Sequence, residues 1–285
     1  MTSVAVEAPR GRSFFWSALA FVRYHVLTVY SLLFFAYLLL PIAIVVVFSF
    51  NHPTGKFNYT WQGFTWDNWR HWDGVPGIRS AVVLSLEIAL LASIVATALG
   101  TLIALALVRY GFRGRASTNI LIFLPLSTPE IVLGASLLTL FLNLNASWLQ
   151  FGFRTILIAH VMFCISFAVV TVKARLVGFD RHLEEAAMDL GANEWVTFRK
   201  VTLPLISPAI LAALLLCFAI SIDDFVVTYF NSGSSVTFPL FVWGAARIAV
   251  PPQVNVIGTA IFVVAATLML ANVLIQRVRA SKGAV

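Results

Sequence analysis

The sequence predicts an all-α integral membrane protein with six transmembrane helices. Of its 285 residues, 60% are hydrophobic and only 11% are charged, a composition too apolar for a soluble domain or a disordered chain. A hydrocarbon core about 30 Å thick needs roughly 20 apolar residues per helix. We therefore expect a membrane domain over residues 26–277, between an N-terminal segment (1–25) and a tail (278–285). The six predicted spans are 26–50, 80–108, 119–142, 155–177, 207–229 and 256–275.

Lys and Arg are distributed unequally between the two sides of these spans. Segments on the cytoplasmic side of a membrane are enriched in both residues. We therefore expect the richer side, and with it both termini, to be cytoplasmic. That side holds Arg10, Arg12, Arg23, Arg109, Arg113, Arg115, Lys173, Arg175, Arg181, Arg199, Lys200, Arg277, Arg279 and Lys282. The other side holds Lys56, Arg70, Arg79, Arg154 and Arg247.

A charged stretch over residues 179–206 separates the fourth and fifth predicted spans. It predicts a short helix that is capped by Asp180 and ended by Gly191, then a second that begins at Asn193 and stops at Leu203-Pro204. Such a pair of helices either connects two spans at the surface or docks an apolar stripe into a groove of a cytoplasmic partner. The stripe, at helical spacing, consists of Leu183, Ala186, Ala187 and Leu190.

This stretch resembles the EAA loop of ATP-binding cassette (ABC) importer permeases. The match consists of Glu185-Ala186-Ala187, then Gly191, then Leu203-Pro204, with Val201 where the family pattern has Ile. The resemblance implies the type I ABC importer permease fold, in which this loop forms a coupling helix within a cleft of the ATPase subunit. The coupling residues that it implies are Glu185, Ala186, Ala187, Gly191, Leu203 and Pro204.

Four acidic residues fall within the predicted spans, and no Lys or Arg lies well inside any of them. Each charge costs about 2.5–3.5 kcal/mol at the bilayer centre on an insertion scale, so each acid must be protonated, hydrogen-bonded or exposed to a water-filled cavity. Glu87, beside Ser85, is the best candidate for a neutral structural acid. Adjacent helical residues point about 100° apart; hence one of Asp223 and Asp224 can face a cavity while a neighbouring helix holds the other.

The fourth acid, Glu130, follows Pro125 and Pro129. Two prolines so close together predict a break or kink in the third span, and interrupted helices often line transport sites. The alternative is a proline kink that merely has a glutamate in its first turn. A cluster of acids without an internal cation favours a cationic substrate. The candidate pathway residues are Glu130, Asp223 and Asp224.

Four segments are similar to the spermidine/putrescine permease subfamily of ABC importers. The resemblance implies a bacterial inner-membrane protein with a polyamine substrate that passes the three pathway acids. It also implies a homologous second permease subunit, two ATPase subunits that bind ATP and magnesium, and an extracytoplasmic solute-binding protein. The segments are N-Y-T-W-Q-G-F-T (58–65), R-Y-G-F-R-G (109–114), S-T-P-E-I-V (127–132) and S-I-D-D-F-V-V (221–227).

The favoured function is thus a transport subunit in contact with membrane lipid, not an enzyme. The sequence contains no G-x-x-x-x-G-K-[ST] motif for ATP and no metal-ligand pattern, and its basic balance reflects topology rather than nucleic-acid binding. Two alternatives stay open: an ABC importer for another small solute, and a proton-coupled secondary transporter, which leaves the EAA-like loop unexplained. A membrane hydrolase is least supported, because His160 is expected to be a packed or hydrogen-bonded residue. Cys164 and Cys217 are expected to be packed thiols.

Overall fold

The computed structural model describes residues 14–55, 57–144, 146 and 148–282, together with their side chains except those of 14–23, 269, 272 and 275–282. These residues are helical or irregular, with one isolated antiparallel bridge between Asn51 and Phe64. The all-α prediction is therefore confirmed for this part of the chain. The first 13 residues of the predicted N-terminal segment and the last three of the tail lie outside the described residues.

The chain divides into two units, residues 1–72 with 251–285, and residues 73–250. The helices are numbered in chain order. The first unit contains α1 (Phe14–Phe48), α2 (Asp67–Arg70) and α12 (Pro252–Lys282). The second contains α3 (Ile78–Arg109), α4 (Arg115–Ser127), α5 (Glu130–Leu144), α6 (Phe153–Val177), α7 (His182–Asp189), α8 (Glu194–Thr197), a π-helical turn (Phe198–Thr202), α9 (Leu203–Asp223), α10 (Val226–Asn231) and α11 (Phe238–Ile248).

In the first unit, the chain after α1 folds around the buried side chain of Asn51. Its Nδ2 donates to Oδ1 of Asn58 at 2.6 Å and to the carbonyl of Thr60 at 2.7 Å. The amide of Asn68, in α2, donates in turn to the Asn51 carbonyl at 2.7 Å. These bonds satisfy polar groups that burial would otherwise leave unpaired, so they hold the loop against the end of α1.

The core of the second unit lies where α3, α6 and α9 pack together. Alanine or glycine occupies every fourth position along one face of α3, at Ala92, Ala96, Gly100 and Ala104. A Cβ atom added at Gly100 would lie 2.6 Å from the Cβ of Ala168 in α6. Small residues at such an interface let two helix backbones approach closely, and we call this contact the small-residue seam.

The described helices account for most of the predicted spans. Four are long and apolar enough to cross a membrane, and α4 with α5 forms a possible fifth that bends by 109° at the break between them. The break follows Ser127, as the two prolines predict. In α12 the described apolar helix runs only over Pro252–Leu268, so the count of six stays a prediction. The four are Tyr24–Phe48, Ile78–Arg109, Phe153–Val177 and Glu194–Asp223.

Two expectations about the fifth span are wrong. The predicted continuous span over 207–229 is interrupted, because α9 ends at Asp223 and α10 begins at Val226. Leu203-Pro204 does not stop the preceding helix, since α8 continues through the π-helical turn into α9. Pro204 lies just after the π-helical turn, and a proline inside a continuous helix removes one backbone donor and distorts the hydrogen-bond pattern around it.

Candidate functional site

The two adjacent aspartates at the end of α9 lie in different environments. Asp223 is the last helical residue and is exposed, whereas the side chain of Asp224 is only 6% exposed. Asp224 leaves the helix with extended backbone angles, φ −62° and ψ 123°. The two carboxylates therefore diverge, and the expectation that a neighbouring helix holds one of them is confirmed for Asp224.

Asp224 caps α10 and contacts a buried histidine. Its Oδ2 accepts hydrogen bonds from the backbone N–H and the hydroxyl of Thr228, both at 2.8 Å. The ring of His160, in α6, has Nε2 at 3.3 Å from that oxygen and at 2.9 Å from the Thr228 hydroxyl. Its Nδ1 lies 2.7 Å from Oγ of Ser221, in α9. His160, a hydrogen-bonded residue as expected, thus joins the two sides of the helix break.

Close packing between α5 and α10 brings Glu130 towards the same break. A Cβ atom added at Gly134 would lie 2.8 Å from the ring of Phe230, and Nδ2 of Asn231 donates to the Gly134 carbonyl at 3.3 Å. Glu130, the first residue of α5, is exposed. Gly134 lies one helical turn after Glu130, so the packing of α5 against α10 places all three predicted pathway acids beside the two helix breaks, after Ser127 and after Asp223.

An aromatic cluster borders the acids, which sequence reasoning did not find. The ring of Phe225 lies 5.7 Å from that of Tyr229 and 5.2 Å from that of Trp243, in α11. The guanidinium of Arg247 lies 4.6 Å from the centre of the Trp243 ring. Aromatic faces attract cations; because Arg247 already occupies the Trp243 face, the rings of Phe225 and Tyr229 are the part of the cluster that a substrate cation could contact near Asp223. The spacing of Phe225 and Tyr229, one helical turn apart, was the only signal in the sequence.

The other acids and thiols add no further centre to the described part of the chain. Glu87 lies on the exposed side of α3, whereas the Ser85 hydroxyl accepts a hydrogen bond from the Phe238 N–H at 2.8 Å. Cys164 and Cys217 are free and buried, as expected. Among the described residues, no group of three or more His, Cys, Asp or Glu side chains is placed to hold a metal ion.

The ends of the short helices in the charged loop lie close to the predicted positions. The N-cap of α7 is Arg181, and Oδ1 of Asp180, one residue earlier, accepts from the His182 N–H at 3.0 Å. Gly191 follows the end of that helix with φ +89°, a left-handed conformation that glycine adopts without strain. Oδ1 of Asn193 accepts from the Val196 N–H at 2.9 Å and caps α8. The loop thus contains one short helix, α7, followed by α8, which continues through the π-helical turn into α9.

The apolar stripe of α7 is exposed except at Ala187, which is half-buried. Leu183 and Ala186 are exposed, and Leu190 is exposed over 90% of its surface. The carboxylate of Glu185 is also exposed and lies 3.1 Å from Nδ1 of His182 on the same helix. An exposed apolar stripe on a short, capped helix is a surface suited to docking.

Glu184, beside the motif glutamate, is buried and ion-paired, which sequence reasoning missed. Oε1 accepts from Nη2 of Arg109 at 2.5 Å, Oε2 pairs with Nη1 of the same guanidinium, and the Thr202 hydroxyl donates to Oε1. Arg181 donates to the Val108 carbonyl at 3.1 Å. Burial alone would raise the pKa of Glu184, but the hydrogen bonds from Arg109 and Thr202 and the nearby positive charges outweigh it and lower that pKa.

Comparison with known proteins identifies the family. Residues 96–280 match the family described as "Binding-protein-dependent transport system inner membrane component". The chain is 40% identical over 244 residues to the spermidine/putrescine transport system permease protein PotC of Escherichia coli K12, covering 85% of this chain and 90% of that protein. It is also 40% identical over 239 residues to the putrescine transport system permease protein PotI of the same strain, covering 81% and 83%.

Solved structures with low sequence identity share the fold. A bacterial ABC transporter involved in the import of the acidic polysaccharide alginate superposes with a TM-score of 0.65 at 14% identity, covering 93% of this chain and 99% of that one. An amino acid ABC transporter superposes with a TM-score of 0.56 at 18% identity, covering 75% and 99%. The relatives by sequence are transport permeases rather than enzymes. The chain therefore belongs to the inner-membrane components of binding-protein-dependent transport systems and is a membrane permease component of an ABC importer.

Proposed function

We propose that this permease component imports polyamines and forms half of their pathway across the membrane. The observation that carries the proposal is the position of Asp223 and Asp224 at the break between α9 and α10, against which the helix that begins at Glu130 packs. The names of its relatives, a spermidine/putrescine permease and a putrescine permease, support the same substrate class. Aliphatic amines with a Lys-like pKa of about 10.4 are protonated at neutral pH, so exposed carboxylates and aromatic faces are the groups that attract them.

The three acids have different roles in this proposal. Asp223 and Glu130 are exposed and meet the substrate directly. The carboxylate of Asp224 is occupied by Thr228 and faces His160, so it positions the break from which Asp223 projects. Several moderate contacts suit a pathway better than one deep site, because the substrate must also leave.

The charged loop couples this pathway to ATP hydrolysis on partner subunits. Support comes from the exposed stripe of α7, its defined caps and the resemblance of the loop to the EAA motif. Two ATPase subunits bind ATP and magnesium, and a second, homologous permease completes the pathway. The residues that face the ATPase in this proposal are Glu185, Ala186, Ala187, Gly191, Leu203 and Pro204.

The proposal includes a membrane topology. The membrane domain covers residues 26–277 with six spans in the bacterial inner membrane, and both termini and the loop at 179–206 are cytoplasmic. The distribution of Lys and Arg supports this orientation. An extracytoplasmic solute-binding protein then delivers the substrate to the opposite side, next to the loop between α1 and α3.

The test is to purify the complex with its partner subunits and measure ATP hydrolysis. The binding protein is added empty or loaded with putrescine, spermidine or an unrelated amino acid. We expect stimulation by both polyamines and none above the empty protein by the amino acid. Stimulation only by the unrelated solute would overturn the polyamine assignment and favour an importer for another small solute.

A further inference from the structure

Three helical segments that are far apart in sequence meet at the carboxylate of Glu184. Arg109 is the last residue of α3, Glu184 lies in the first turn of α7, and Thr202 ends the π-helical turn before α9. Glu184 is 8% exposed and Thr202 is 3% exposed. We call these three residues the cytoplasmic node. Two further contacts lie next to the node. Arg181 donates a hydrogen bond to the end of α3, and the guanidinium of Arg109 lies 5.3 Å from the centre of the Phe179 ring.

The node joins the loop to two helices of the core. The helices α3 and α9 pack against α6 through residues such as Leu107, Val172 and Ile206. From Leu203, α9 runs as one helix to Asp223 and contains Pro208 near its start. Its 21 residues span about 31 Å at 1.5 Å per residue, so this single helix connects the node to the acids at its other end.

The neighbouring glutamates of α7 have different surroundings. Glu185 is exposed, and its carboxylate lies beside the exposed ring of His182 on the same helix. Glu184 accepts two N–H groups of one guanidinium and a hydroxyl. Bidentate pairing of Arg with a carboxylate fixes orientation as well as distance. The pair therefore sets the angle of α7 relative to α3, which a single hydrogen bond would leave loose.

We propose that Glu184 is a positioning residue whose pairing with Arg109 and Thr202 transmits movement of the ATPase-bound loop to α3 and α9. The proposal rests on the proposed docking of α7 onto the ATPase. It adds a role for a residue outside the EAA-like motif: the motif residues hold the ATPase, and Glu184 holds the loop to the helices that carry the pathway. Loss of the charge therefore uncouples ATP hydrolysis from transport without releasing the ATPase.

The test compares variants in the assembled complex, reconstituted in vesicles. Glu184→Gln removes the charge, Glu184→Asp keeps it, and the double variant Arg109→Gln/Glu184→Gln removes both charges and leaves no buried ion unpaired. Asp189→Asn, an exposed position on the same helix, is the matched control for charge loss. The readouts are the amount of ATPase subunit that copurifies, the basal rate of ATP hydrolysis, and the number of substrate molecules transported per ATP hydrolysed.

We expect both Gln variants to retain the ATPase subunit and hydrolyse ATP, while transport per ATP falls at least threefold. Glu184→Asp should keep most of the ratio, and Asp189→Asn should keep all of it. A double variant with the wild-type ratio would overturn the proposal, as would a Glu184→Asp ratio as low as that of Glu184→Gln. Failure of both Gln variants to assemble would also overturn it, because the node would then be a folding element.

One further variant separates this proposal from the one on which it rests. Ala186→Glu places a charge on the exposed stripe and leaves the node intact. If Ala186→Glu transports normally, docking through α7 is wrong, and the proposal that the node transmits movement of the loop is then wrong as well. If Ala186→Glu loses coupling while the node variants keep the wild-type ratio, only the node proposal is wrong.

Discussion

Replacing Asp223 or Asp224 by Asn should produce two different defects. Either change removes one charge and preserves the shape of the side chain. Asp223 is exposed at the end of α9, so in the proposed pathway its loss removes a contact with the substrate. Asp224 has a side chain that is 6% exposed and accepts bonds from Thr228 beside His160, so its loss removes a structural contact.

The interaction energy between the Asp223 carboxylate and a substrate ammonium depends on how exposed the carboxylate is. An ammonium at 4 Å interacts with a carboxylate by about 4 kcal/mol at an effective dielectric constant of 20 and by about 1 kcal/mol in bulk water. For an exposed group we take about 1–2 kcal/mol, which weakens transient binding about 5- to 30-fold. Spermidine should lose more than putrescine, because its additional ammonium group makes its binding depend more strongly on the total negative charge of the site.

The charge at Asp224 acts on stability. Hydrogen bonds to a charged group contribute about 1.5–3 kcal/mol each, and Asn retains only part of this capacity. We therefore expect Asp224→Asn to lower the melting temperature of the purified complex and the amount of protein in the membrane. Asp223→Asn should leave both close to wild type.

The assay is uptake of radiolabelled putrescine and spermidine into vesicles, normalised to the amount of assembled complex, with a thermal melt of each variant. Asp223→Asn should reduce normalised uptake about 5- to 30-fold at substrate concentrations below saturation. Normal uptake by this variant would refute the assignment of Asp223 to the pathway. A melting temperature for Asp224→Asn equal to that of wild type would refute the capping role derived from its contacts.

Three other outcomes are expected. Cysteines introduced at Trp66 and at Asn193 should react with an impermeant reagent from opposite sides of the membrane, and labelling of both from outside would contradict the topology. Gly100→Ala should destabilise the complex by about 1–3 kcal/mol in a thermal melt, because its Cβ would lie 2.6 Å from that of Ala168; an unchanged melt would show that the two helices separate freely. The stability that the charge of Glu184 adds should be fully present above the unfolded-state pKa of about 4.3. It should disappear as the pH falls through the lower folded-state pKa. A difference in melting temperature between wild type and Glu184→Gln that stays the same from about pH 7 to about pH 3.5 would contradict this.

Local sequence signals predicted those features whose causes are local. The apolar runs predicted the long helices, the prolines predicted the break after Ser127, and Asp180, Gly191 and Asn193 predicted the ends of the short helices in the loop. In each case the cause lies within a few residues of its effect. A proline removes a donor from its own helix, and an N-cap side chain bonds to the backbone two or three residues away.

The missed features depend on contacts between distant residues. No proline or glycine marks the break after Asp223, where Ser221, Asp224 and Thr228 surround a histidine about 60 residues earlier in the chain. Glu184 and Glu185 look equivalent in the sequence, and only the position of Arg109, 75 residues away, distinguishes them. The continuation of α8 into α9 was also missed, because Leu203-Pro204 resembles a stop signal when the preceding π-helical turn is not known.

The small-residue seam has a consequence for how this permease component moves. Where a Cβ at Gly100 would meet Ala168 at 2.6 Å, the two backbones touch without long side chains between them that could change rotamer and absorb sliding. Shear motion is a small sliding of packed helices past one another, and close backbone contact at this seam leaves little room for it. We expect α3 and α6 to travel as one rigid body during a transport cycle. The bending must then occur where helices are interrupted, after Ser127 and after Asp223, next to the acids themselves.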